Sequence, residues 1–188
     1  MTDNDLSRRR RSRLQLLLVA AMFLGSFAVA AALFFGGWKP TQTRNFGRML
    51  DPYPMLQDIA LTRADGTPWR WQPALRHWHI LVPAPTAADC DARCASLLDA
   101  LHRVWYSEGR HAERLHVLWL GELPATAPAF SGLVALQPQP EVEMRLPERA
   151  SVAGVPVYLV DGSGYVVLHY PAGFDPVQLR KDLGRLLK

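Results

Sequence analysis

The chain has 188 residues, with 21 lysines and arginines against 17 aspartates and glutamates and a formal net charge of +4 at pH 7. Five arginines lie between Arg8 and Arg13; beyond the first thirteen residues the balance is 16 basic (21 less 5) against 15 acidic (17 less 2). That near-neutral remainder excludes a nucleic-acid footprint, and its roughly 130 C-terminal residues suffice for one hydrophobic core and not two.

Residues 1–13 read as a basic N-terminus and residues 14–35 as a membrane span. Leu14–Phe35 carries no charged residue, and as a helix it extends roughly 33 Å, enough for a bilayer core. The arginines precede it, and only Trp38 and Lys39 follow closely. The positive-inside rule then predicts a single-pass protein of the inner (plasma) membrane, with its N-terminus cytoplasmic and its C-terminal domain periplasmic. Ala28-Val29-Ala30 has the small-x-small pattern of a cleaved signal, but the apolar run continues through Phe35, which favours an uncleaved anchor. Either outcome places the domain outside the cytoplasm, where disulfides persist.

Residues 36–57, with Pro40, Pro52 and Pro54, read as a linker, and residues 58–188 as the folded domain. Within it, "DIALTRADGTPWRW" alternates around Asp65-Gly66, a hairpin pattern. "HWHILVP" predicts a short buried strand. From Asp91, apolar residues from Cys94 to Trp105 recur at three- and four-residue spacing, predicting an amphipathic helix that stops near Gly109. "LHVLWLGE" predicts a second buried strand, while residues 123–151, rich in proline and alanine, show no regular pattern. "GVPVYLVDGSGYVVLHYP" predicts a hairpin turning at Asp161–Gly164. Asp175 then caps a closing helix with Pro176 at its first position. Strand, helix and strand followed by a hairpin and a helix make an α/β sandwich with a mixed sheet.

The two cysteines, Cys90 and Cys94, stand at the strand-to-helix junction. Three readings are open: a redox-active or structural disulfide pair, a copper site, or inert packing of small residues. In a helix, residues i and i+4 hold their Cβ atoms ~5–6 Å apart, too far for a disulfide, so closure requires Cys90 in a non-helical lead-in or some local distortion. A helix N-terminus favours the thiolate, whereas Asp89 and Asp91 oppose it. Cu(I) accepts two thiolates but favours a third donor. His77 and His79 share one strand face; His102, His111, His116 and His169 are the remaining imidazoles. His77, His79, His102 and His169 read first as structural or surface residues.

The anchor, the hairpin, the C-x-x-x-C opening a helix and the terminal "VYLVDGSGYVVLHYPAGFDPVQLRKDLGRLL" resemble the Sco family over residues 58–188. That resemblance implies a thioredoxin-like sandwich and a membrane-anchored role in cytochrome c oxidase assembly, with oxidase subunits or other assembly factors as partners. It also implies Cys90 and Cys94 as the redox pair or as Cu(I) ligands. Two positions depart from the family: Ala95 replaces the proline after the second cysteine, and Ala153 falls where the histidine copper ligand is expected. Pro156 instead resembles the cis-proline of thioredoxin-like oxidoreductases. A general membrane-tethered thiol–disulfide oxidoreductase and a non-catalytic interaction domain of a respiratory complex are the alternatives.

Overall fold

A computed structural model describes residues 3–37, 44–85, 92–148 and 154–187. They divide into two compact units, Met1–Arg44 and Asn45–Lys188. The first is helix α1 (Asp3–Phe35), whose Arg13–Phe35 stretch has a mean hydropathy of 2.5 and is long and apolar enough to cross a membrane.

The second unit is built on a six-stranded sheet. In chain order its strands are β1 (Arg48–Met49), β4 (Trp78–Pro83), β5 (Leu115–Leu120), β6 (Leu133–Leu136), β7 (Val157–Val160) and β8 (Val166–Tyr170), with β2 (Leu61–Thr62) and β3 (Pro68–Trp69) forming a separate hairpin. The spatial order is β1-β8-β7-β4-β5-β6. β4 pairs in parallel with β5, and β5 with β6; β7, β8 and β1 continue antiparallel on the other side, so the sheet is mixed as expected. Among the described residues three α-helices complete the unit: α2 (Ala92–Ser107), α3 (Pro140–Arg145) and α4 (Pro176–Leu186).

Alternation along the central strands separates two cores. Ile80, Val82, Val117, Trp119, Val157 and Leu159 pack against Leu98 and Leu101 of α2 and Leu179 and Leu183 of α4. Leu81, Leu118, Leu120, Tyr158 and Val160 face the other way, against Leu56, Ile59, Leu61 and the Val142 of α3. Both faces of the central strands are covered, which explains why they read as nearly continuous apolar runs.

Two regions differ from the sequence reading. The segment read as the end of a linker contributes β1, paired to β8, and the buried residues Leu50 and Leu56. It is held by Asp182 of α4, whose Oδ2 accepts hydrogen bonds from the amides of Phe46 (2.9 Å) and Gly47 (3.0 Å) and from the Tyr170 hydroxyl (2.8 Å). Within residues 123–151, β6 and the short α3 are regular. β6 pairs with β5 over four residues, and Pro140 starts α3. Both are too short for periodicity to disclose.

Candidate functional site

Cys94 lies in the first turn of α2, is 1 % exposed, and belongs to the core between α2 and the sheet. It is disulfide-bonded. Cys90, Asp89, Asp91 and Ala153 lie outside the described residues. Of the sequence-predicted thiol pair, therefore, one member is placed at the strand-to-helix junction as expected, buried where a solvent-borne partner does not reach it.

Beside it opens a cleft of about 440 Å³. One wall is the start of α2, with Ala92, Ser96 and Leu97; the facing walls are Val155, Phe174 and Pro176. The register explains the meeting. Because Leu81 pairs with Tyr158, residues 155–156 fall at the end of β4 from which the chain leaves for α2. β8 runs antiparallel to β7 and hence parallel to β4, so its loop into α4 arrives at that same end. Gly154 completes the cleft at φ +129°, a conformation that side-chain-bearing residues avoid. Arg93 adds a cation to a mostly apolar surface.

Pro156 corrects the sequence reading: among the described residues the one cis peptide is Asp51–Pro52, so the Val155–Pro156 bond is trans. Pro156 is buried directly before β7, where a fixed φ suits an incoming strand and no ladder donor is needed.

The histidines lie elsewhere. His79 is four residues before Pro83 on β4, which sets it about 13 Å from the end of the strand that leads to α2. It pairs across the sheet with His116, and their rings are 5.6 Å apart. His77 lies 4.9 Å from His116, while Trp69 and Trp71 meet His79 edge-on at 5.5 and 5.2 Å. His79 is 3 % exposed and its Nδ1 has no hydrogen-bond partner among the described residues. Burial, reinforced by His116 and His77, holds its pKa down at about 3. His116 is lowered for the same first reason, with His77 and Arg63 adding to it.

His169 faces the opposite side of the sheet from α2, stacked on Tyr158 at 5.0 Å. Its Nε2 is 2.8 Å from a carboxylate oxygen of Glu148. Burial outweighs the carboxylate and keeps the imidazole pKa low. His102 stacks on Phe130 at 4.7 Å. His111 accepts from the Arg110 side chain at 3.1 Å. Among the described residues no three His, Cys, Asp or Glu side chains are placed to hold a metal ion.

Sequence reasoning missed the Asp182 clamp. Its signal was there: Asp182 falls on the apolar stripe of α4 with Leu179, Leu183 and Leu186, and a carboxylate at such a position must find donors.

Residues 78–188 match the family model described as a transmembrane-like, thioredoxin-like, C-terminal domain. No curated protein matches the sequence. Among solved structures, the apo Sco1 protein from Thermus thermophilus shares 19% identity over 78% of this chain and 99% of its own, with a TM-score of 0.51. BsSco, a member of the Sco family of cytochrome c oxidase assembly proteins in which a disulfide switch was identified, shares 14% over 76% of this chain and 97% of its own, at 0.50. The apo form of Trgpx shares 10% over 71% and 95%, at 0.52. At these identities the likeness shows the fold, a thioredoxin-like sandwich.

Proposed function

The chain belongs to the family of transmembrane-like, thioredoxin-like C-terminal domains, and from that membership we propose that it is a membrane-anchored thiol–disulfide factor acting through Cys90 and Cys94. The observation that carries this reading is Cys94, buried and disulfide-bonded in the first turn of α2 beside an apolar cleft. The sequence holds two cysteines, so we assign Cys90 as its partner. The proposed setting is cytochrome c oxidase assembly, with the anchor in the inner membrane and the domain outside the cytoplasm; it is supported by the resemblance to Sco proteins.

Burial divides the labour between the sulfurs. Cys94 is enclosed, so Cys90 is the one that meets a client. In the reduced protein the Cys90 thiolate attacks a client disulfide, and one client sulfur leaves as a thiolate that takes up a proton. Cys94, deprotonated, then attacks the Cys90–client bond and releases the second client thiol. The client gains two electrons, the chain is left with its own disulfide, and a membrane dithiol donor must reduce it again. The cleft beside α2 seats an apolar stretch of the client next to its cysteine.

Thiol trapping tests pairing and orientation together. In intact cells, a membrane-impermeant maleimide mass tag should add nothing before reduction and one tag, at Cys90, after it, with Cys94 taking a second only once the reduced protein is denatured. Tagging without reduction would establish an inert dithiol; tagging only after lysis would place the domain in the cytoplasm.

Copper fits less well. A disulfide-bonded Cys94 offers no thiolate, and His79, the buried imidazole of β4, lies about 13 Å from the strand end that leads to α2. For the reduced protein, competition against a chromophoric Cu(I) chelator should therefore show weak, readily exchanged Cu(I), and Ala153→His should tighten it. Tight stoichiometric binding by the unaltered chain would make copper delivery the better reading.

A further inference from the structure

We propose that Phe46 and the outward face of α4 form a docking surface for anionic lipid headgroups of the membrane that the anchor crosses, an inference that rests on the anchored reading above. Val177, Arg180, Lys181, Gly184 and Arg185 are the exposed positions along α4, while Leu179, Asp182 and Leu183 are buried. The face therefore carries three cations, Arg180, Lys181 and Arg185, of which Arg185 also pairs with the inward-turned Asp182. Asp182 spends its charge on the amides of Phe46 and Gly47 and on the Tyr170 hydroxyl, with Arg185 at 3.2 Å.

That clamp also places an aromatic ring on this face. Phe46 is 46 % exposed, with Lys181 Nζ 5.2 Å and the Arg185 guanidinium 5.8 Å from its ring centroid. An exposed aromatic ringed by cations suits a headgroup layer, where the ring enters the acyl boundary and the cations meet phosphates. Glu108, near enough to Arg180 to feel its charge, offsets part of the field.

The occupant follows from charge and chain length. A second copy would oppose one positive stripe to another. An anionic bilayer complements it, and it is within reach: Phe46 is eleven residues beyond Phe35, the last residue of α1, at most about 40 Å of chain. Such a tether sets an effective concentration on the order of millimolar, so weak intrinsic affinity suffices. Docking holds the cleft near the bilayer too, since Pro176 in its wall starts the same helix, about 14 Å from Arg185.

The sequence contains three lysines, Lys39, Lys181 and Lys188, which makes amine acetylation read by mass spectrometry a clean footprint. The full chain is assembled into nanodiscs of phosphatidylcholine alone or with phosphatidylglycerol as the minority lipid. Each basic side chain at an anionic surface gains about fivefold in partitioning. Lys181 should accordingly acetylate several-fold more slowly, relative to Lys39, in the anionic discs. High salt should abolish the difference, and so should Arg180→Gln combined with Phe46→Ser, provided that variant keeps the parent's Tm. A chain that does not assemble into nanodiscs defeats the anchored reading and the docking with it. Equal Lys181 rates in both lipids, or slowing that survives high salt or the double substitution, defeat the docking alone.

Discussion

Replacing Asp182 with alanine is expected to cost about 3–5 kcal/mol, the range for stripping one partner from a buried charged network. The side chain is 1 % exposed, and three donors converge on one of its oxygens: the amides of Phe46 and Gly47 and the Tyr170 hydroxyl. Truncation leaves them without an acceptor, at about 1–3 kcal/mol for each that stays dry. For a unit of this size the loss corresponds to a Tm lower by roughly 10 °C. Asp182→Asn, which keeps one acceptor oxygen, should recover part of it, and Tyr170→Phe should cost only about 1 kcal/mol. Scanning calorimetry of the detergent-solubilised chain measures all three. Amide exchange of residues 45–50 should rise most in Asp182→Ala, because the clamp is what makes the tether's end part of the fold. An unchanged Tm together with unchanged exchange would refute the clamp.

Gly47 has no freedom at that contact. A Cβ there would lie 2.6 Å from the Tyr170 ring, so the amide reaches Asp182 only because the side chain is absent. Nothing in "RNFGRML" announces such a requirement, since the ring and the carboxylate are more than 120 residues away in sequence.

What was legible follows the same division between local and distant causes. The central strands, α2 and α4 were readable because their period or unbroken apolar runs exceed a turn, and Asp175 accepts from the Val177 amide at 2.9 Å as a capping residue should. β1, β6 and α3 are two, four and six residues long. They exist because the sheet and the second core supply partners, and a linear pattern carries little of that. In the site, the junction of Cys94 with a helix start was readable. The opposite wall at Phe174 and Pro176 was not, because sheet register brings it there. Pro156 shows the limit of resemblance: a matching residue at a matching place carries no information about its peptide isomer.

The second large effect is acid destabilisation through His79. Its folded pKa of about 3, against an ordinary value of 6.5, means that between those values the unfolded chain binds a proton the folded chain excludes. Stability therefore holds above pH 6.5 and falls as pH drops below it, by up to one proton's slope, until about pH 3. Between pH 6.5 and 4.5 this amounts to about 2–3 kcal/mol. Carboxylates such as Asp58, whose pKa is lowered first by its hydrogen bond to Arg145, also weaken the fold in acid, so the slope of the native chain alone does not isolate the histidine. His79→Phe does. Phenylalanine keeps an aromatic ring against Trp69 and Trp71 and removes both the unpartnered Nδ1 and the titration. Denaturant unfolding at pH 7 and pH 4.5 should give the variant a smaller loss than the native chain by about 2 kcal/mol. Parallel losses in the two proteins would show that the buried imidazole does not exclude the proton, and that the cluster with His77 and His116 is solvated enough to charge.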